Sequence, residues 1–423
     1  MSIRFSRWGH IALLASLFFA LHGAVASAAP PDPPPPRYRI DLLTIGPGDS
    51  LPTRGGHAAL VACELLSEGR EVCTVYNYGD APFEESGIEF RFVFGHVRGF
   101  LSVVGDVYDA TEHYGLHQDR DVWLQALALN DNQARLVAER LQWQADPANR
   151  EYDFHHLHAT CTTGIRDLLD EATGGQLKAQ LSGQSDGATV RHYQQQVFDN
   201  KLLVTVLSDA AFGRLHDAPV DKYFGLLMPW NQRAYLQDVM VADPAGGETK
   251  VPLAGPPQVL AQRGGRPPIS GRSRFTWYLG GIGCSLTLLF ALVLRRRDGD
   301  TPSRLAGLWL VAWALPMGIL GAVIVAFSMA STVPELHDNE LVVSILVSDL
   351  ALLAPASAWL RGKPRVPRWL RHYATARLVV VGLAVAARAA GLFIQQPWIL
   401  PVASLVCGFS LWWMLRAAPK AQD

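Results

Sequence analysis

Residues 155–170, HHLHATCTTGIRDLLD, set a cysteine behind three histidines and at the start of a helical pattern. Ile165, Leu168 and Leu169 recur at spacings of three and four, the apolar stripe of a helix packed on a sheet, and Thr160 is a natural N-cap. Upstream, EYDFHHL alternates Tyr152 and Phe154 with Asp153 and His155, as a strand does. A strand leading into a capped helix that packs on a sheet fits the α+β class expected for the exported domain. Cys161, in the first helical turn, faces unpaired backbone N–H groups and the positive end of the helix dipole, so its pKa is expected to fall. Three chemistries stand open for it: metal ligand, half of a disulfide, or nucleophile.

A metal is the weakest of these. On a strand His156 and His158 share a face that excludes His155, and no second Cys or His cluster completes a tetrahedral site at a usual spacing. No metal and no cofactor is therefore expected. The disulfide depends on HAALVACELLSEGREVCTVYNYGD, residues 57–80, two β-rich runs around the turn-forming SEGR. A turn centred on Glu68 sets Cys63 opposite Cys73, within reach of a bridge, whereas another turn length separates them. If that pair is joined, Cys161 is left over, either inert in the core or kept for reactivity. Cys284 and Cys407 lie in apolar runs.

A nucleophile needs a base and a group that orients it. His57 opens the first strand of the hairpin behind Gly55 and Gly56, and in the Glu68-centred register Asn77 falls diagonal to it on the same face, with Asp80 as the alternative orienter. Elsewhere, IEFRFVFGHVRGFLSVVG (88–105) reads as one or two strands broken at Gly95 or Gly99, and RDVWLQALALN (120–130) as another. DNQARLVAERLQWQAD (131–146) spaces Ala134, Val137, Ala138 and Leu141 as a helix, with Asp131 or Asn132 as cap.

The ends of the chain place this domain at a membrane. Arg4 and Arg7, an apolar run from Ile11 to Ala24 and small residues to Ala28 read as a signal peptide over 1–29. A proline-rich linker covers 30–37, the exported domain 38–245, and a second linker 246–274. Five apolar runs follow within 275–416 (275–294, 305–330, 341–360, 377–395 and 397–416), with 417–423 as a tail. Arg295, Arg296, Arg297 and the basic loop RGKPRVPRWLRHYATAR are expected on the cytoplasmic side, which puts the large domain on the periplasmic side of the inner membrane. Asp349 and Arg388 are the charged residues in the spans, either a pair or end-of-span residues. A net charge of −1 gives no electrostatic case for nucleic acid. The expected partners are the bilayer and a membrane lipid or lipoprotein substrate.

The succession RGGHAALV, VYNYGD, FVFGHVRGFL, NREYDFHHLHATCTTGIRDLLD and KYFGLLMPWNQRAYL resembles, over roughly residues 38–240, the periplasmic domain of the Lnb-like family. That family is similar to permuted papain-like cysteine enzymes, the group of lecithin:retinol acyltransferase, in which the histidine precedes the cysteine as His57 precedes Cys161 here. The resemblance implies a papain-like exported domain with a central antiparallel sheet and packed helices. It implies Cys161 as nucleophile and His57 as base, with Arg166 and Asp167 as helix residues near the site; Asn77 is the orienter expected from the hairpin register, and Arg166, Tyr76 and Thr160 are the expected substrate contacts. Thr160 stands where the family usually has Asn, and Gly164 replaces a common arginine. The implied activity is transacylation of lipoprotein diacylglyceryl-cysteine through a cysteine thioester. The same residues suit a peptidase or amidase of cell-wall peptide, and a non-catalytic membrane sensor with Cys161 buried is the reading from another class.

Overall fold

The computed structural model describes residues 37–417 apart from 67–68, 82–85, 89–90, 92–93, 200, 247, 265–272, 299–303 and 364. The expected signal peptide and most of the proline linker lie outside these residues. Seven strands form one antiparallel sheet: β1 (Arg37–Ile45), β2 (His57–Leu65), β3 (Glu71–Asp80), β4 (Arg98–Val103), β5 (Val122–Ala126), β6 (Glu151–Asp153) and β7 (Gln258–Ala261). Their order across the sheet is β7-β5-β1-β2-β3-β4-β6. β7 is a correction. The stretch 246–274 is not all linker, because Gln258 and Val259 pair with Leu124 and Trp123 and close that edge. Surrounding prolines and glycines hide so short a strand in the sequence.

The β2–β3 register sets Ala59 opposite Asn77 and Cys63 opposite Cys73, which are joined as a disulfide. One sheet face packs Leu42, Leu60, Tyr76 and Leu101 against Val137 and Leu141 of α1 (Asp131–Ala145) and Ile165 and Leu169 of α2 (Cys161–Ala172). Each such side chain contributes about 1.5–3 kcal/mol on full burial. α1 is capped by Asn130, not by the expected Asp131 or Asn132. Asn130 Oδ1 accepts the N–H groups of Asn132 and Gln133, and the Gln133 side chain returns a bond to the Asn130 N–H. The other face packs Ile45, Ala59, Val61 and Val75 against Ala110 and Tyr114. Of the two strands allowed in 88–105, the described residues form one, β4.

Four helices are long and apolar enough to cross a membrane: Phe275–Leu294 within α4 (Phe275–Asp298), α5 (Arg304–Ala330), α6 (Arg368–Ala389) and Ile399–Arg416 within α7 (Ile399–Ala417). The run expected as the third span, 341–360, falls on a pair of helical segments, Pro334–Val343 and Val347–Leu360, bent by 49°, which together make a fifth candidate if they are one span. It sits against a glycine groove on α5, where a Cβ on Gly321 would come within 2.7 Å of the Ile345 carbonyl. Asp349 does not pair with Arg388, whose guanidinium donates to the Phe393 carbonyl. Its partner is Arg377, placed by the sequence reading in a cytoplasmic loop and found buried within α6, 2.8 Å from the carboxylate.

Candidate active site

The site lies at one end of the sheet, where β2 begins, β3 ends and α2 starts. Thr160 caps α2: its N–H donates to Thr163 Oγ1 at 2.8 Å, and its own Oγ1 accepts the Thr163 N–H at 3.3 Å. Cys161 is therefore held as the first helical residue. The next residue pins the turn to the body of the domain, since Thr162 Oγ1 donates to the Leu227 carbonyl and Gln232 Nε2 donates to the Thr162 carbonyl, both at 2.6 Å. Gly79 in β3, at φ +77°, lets the helix start approach, because a Cβ there would lie 3.0 Å from the Cys161 nitrogen.

His57 Nε2 lies 3.2 Å from Asn77 Oδ1. The amide oxygen is an acceptor, so Nε2 donates and Nδ1 keeps its lone pair. Tyr114 stands beside the imidazole with ring centroids 5.9 Å apart, and Arg120 lies over the Tyr114 ring at 5.5 Å. Asp80, the other expected orienter, is exposed.

Electrostatics depart from the expectation of a lowered thiol. Part of Cys161 remains accessible, yet its surroundings are crowded enough that burial pushes the thiol pKa up, against the pull of N–H groups from Ala58, Thr162 and its own residue and of Arg120. Burial, then Arg120, brings the His57 pKa down to about 4, with the Asn77 bond opposing. At neutral pH the resting site thus holds a thiol and a neutral imidazole. The helix dipole is real but smaller than the cost of desolvating a thiolate.

Arg120 was not singled out by sequence reasoning. Only 3% exposed, it donates through Nε to the Gly46 carbonyl at 2.7 Å and through Nη1 to Gln118 Oε1 at 2.9 Å. Its Nη2 has no hydrogen-bond partner, and no carboxylate pairs with it among the described residues. Burial lowers its pKa to about 10, with Tyr114 and Cys161 acting in the opposite sense. A buried cation without a counter-charge thus stands beside the thiol. Nothing in a segment of mixed charge such as HQDRDV marks one arginine as buried.

The remaining candidates divide. Thr160, with Ala159, Gly164, Tyr152 and His158, lines a cavity of about 210 Å³ beside the start of α2. A Cβ on Gly164 would meet the Tyr78 ring at 3.1 Å, so the arginine of relatives has no room here without a shift. Arg166 donates to Asp167 at 2.7 Å and lies over the Tyr223 ring at 4.7 Å. Tyr76 is buried in the core between sheet and helices, which gives it a packing role.

The three histidines do not alternate along a strand. β6 ends at Asp153, and a tight turn pairs His155 with Ala159 through two backbone bonds of 3.2 and 2.9 Å. His155 and His158 consequently face one side, each with Nε2 3.6 Å from an oxygen of buried Glu335, while His156 packs near Phe212 and His216. His155, His156 and Glu335 are close enough to suggest a cation site. The ring wiring disfavours one: His155 Nδ1 accepts the Leu157 N–H at 3.2 Å, so the neutral ring carries its proton on Nε2, the atom facing Glu335.

Comparison with curated proteins and with solved structures finds no match. Residues 37–196 match the family model described as the Lnb N-terminal periplasmic domain. That segment is thus similar to the Lnb N-terminal periplasmic domain, and four helices long and apolar enough to cross a membrane follow it, or five if the bent pair is one span.

Proposed function

We propose that this protein is a membrane-anchored cysteine acyltransferase acting on lipid esters, with lipoprotein diacylglyceryl-cysteine as the substrate. The order of the chain, with His57 on a strand ahead of Cys161 at a helix start, supports a permuted papain-like reading. The single observation that carries the reading is the buried Arg120, whose Nη2 has no hydrogen-bond partner and whose charge acts on both Cys161 and His57, each held neutral by burial. Such a site is poor at holding a resting thiolate and suited to negative charge that develops during attack.

As the Cys161 sulfur bonds to the ester carbonyl carbon, its proton passes to Nδ1 of His57, the only ring nitrogen with a free lone pair. Arg120 and the N–H groups at the start of α2 stabilise the oxyanion. When the ester C–O bond breaks, His57 returns the proton to the departing alkoxide and a thioester remains. A free amine, or water, then attacks the thioester, and its proton passes through His57 to the sulfur as the S–C bond breaks. Asn77 keeps the imidazole in the tautomer both steps require. A lipoprotein presents ester and α-amine together at the bilayer surface, so confinement substitutes for binding affinity.

Mass spectrometry of lipoproteins from cells with and without the protein tests this. The reading requires N-acylated lyso forms that vanish with the gene or with Cys161→Ala; unchanged lipoproteins contradict it.

A further inference from the structure

One helix of the domain is built inside out. In α3 (Leu202–Ala211), Leu202, Leu203 and Leu207 are 44%, 70% and 48% exposed, while Thr205, Asp209 and Ala210 are buried. Leu203 and Leu207 are four residues apart and share a stripe, as do Thr205 and Asp209 on another face. The polar stripe is satisfied by protein. Thr205 Oγ1 donates to the Phe198 carbonyl at 2.9 Å, and Asp209 accepts from Gln195 Nε2 at 3.0 Å and from Thr276 Oγ1, in the first turn of α4, at 2.6 Å. In water this pattern would be reversed. An apolar stripe outward and a polar stripe inward suits a hydrocarbon surrounding.

The neighbours of α3 give its level. It packs against α4 and α5. Ala210 clusters with Ile324 of α5 and with Leu341 and Ile345, against Met317 and Leu320. Ile324 lies six residues before Ala330, the end of α5 that leads into the segment touching the domain through Glu335. At a rise of about 1.5 Å per residue this is roughly 9 Å inside that end. Lys201, exposed, precedes the first leucine, where a cation meets lipid headgroups. α4, against which α3 packs, likewise leaves Ile282 and Leu286 exposed.

We infer that α3 is immersed in the outer part of the bilayer with Leu202, Leu203 and Leu207 against lipid acyl chains, so the domain is embedded in the membrane and not merely tethered to it. The immersion also fixes the height of the candidate site, because Phe212, directly after α3, lies against His156, five residues before Cys161. It holds whatever chemistry Cys161 performs.

The test uses the full chain in liposomes with Cys161→Ser, Cys284→Ala and Cys407→Ala as background. A nitroxide is placed in turn at Leu203→Cys, Leu207→Cys, Leu286→Cys as lipid reference and Tyr108→Cys, in the domain and largely exposed, as water reference. Accessibility to oxygen relative to a water-soluble nickel chelate is then read. The expected result is a ratio at positions 203 and 207 several-fold above that at 108 and close to that at 286. A ratio like that at 108 overturns the inference, and protection from both reagents overturns it in favour of a protein partner. The substituted leucines are already exposed, so the fold has no need to change.

Discussion

Two buried polar centres in this chain are built on opposite terms. In the membrane helices, Arg377 donates to both oxygens of Asp349 at 2.8 and 3.1 Å and to the carbonyl and hydroxyl of Ser404, each at 2.8 Å, while Tyr373 donates to Asp349 at 2.7 Å. Every charge there has its counter-charge. At the end of the sheet, His57 and Cys161 are held neutral, and Arg120 pairs with no carboxylate among the described residues. The first arrangement fastens helices in a medium where an unpaired charge is prohibitive. The second is costly as structure and sensible as a site for a transition state.

That contrast is broken most directly by substitutions at its two ends. Cys161→Ala, His57→Ala and the double variant should each lose on the order of 10³-fold or more in turnover of an acyl-ester lipopeptide and fall to the same residual level, because thiol and base act as one unit. Additive losses would show that they do not. Arg377→Met should instead leave the chemistry alone and destabilise the protein by about 3–5 kcal/mol, since Asp349 is left buried without its partner; in detergent, the double change Arg377→Met with Asp349→Leu should recover much of the loss in thermal stability.

Arg120→Met reverses that pattern. Turnover should fall on the order of 10²-fold while stability holds or rises, because an unpaired buried cation is removed. The same change removes one of the causes that depress His57, so the acid limb of the activity profile should move up in pH. Asn77→Ala should cost less, on the order of 10- to 100-fold, since it orients the ring without joining the bond changes.

Acid is expected to have the smallest effect. A base with its pKa near 4 stays neutral well below pH 6.5, so activity should persist in mild acid and fall as His57 takes up its proton. His57, His156 and His216 all have folded pKa values below the 6.5 of an ordinary histidine, at about 4, 3 and 2. The unfolded chain therefore binds more protons in this window. Stability is full above 6.5 and declines as pH drops toward 4, which thermal melts across that range check.

How much of this was legible in the sequence follows from the range of each signal. The β2–β3 register could be read because two β-rich runs flank one turn, and counting about Glu68 places Asn77 diagonal to His57 and Cys63 opposite Cys73. The Thr160 cap and the Ile165–Leu168–Leu169 stripe are equally local. What failed was non-local. Arg120 and Tyr114 reach the site from a segment without periodicity, and Arg377 looked like loop because RWLRHYATAR is basic by composition, although a partner 28 residues away neutralises it. The thiol pKa was misjudged for the same reason: a helix start is visible in sequence, and the crowding around it is not.

In the proposed reaction Cys161 carries the acyl group as a thioester. Purified protein in lipid would be mixed with a diacylated lipopeptide, quenched in acid and weighed intact and as peptides, with and without hydroxylamine. The expected result is a hydroxylamine-labile acyl adduct on the peptide bearing Cys161, lost in Cys161→Ala and strongly reduced in His57→Ala. Turnover of the lipopeptide without that adduct, or the same adduct in Cys161→Ala, would contradict it.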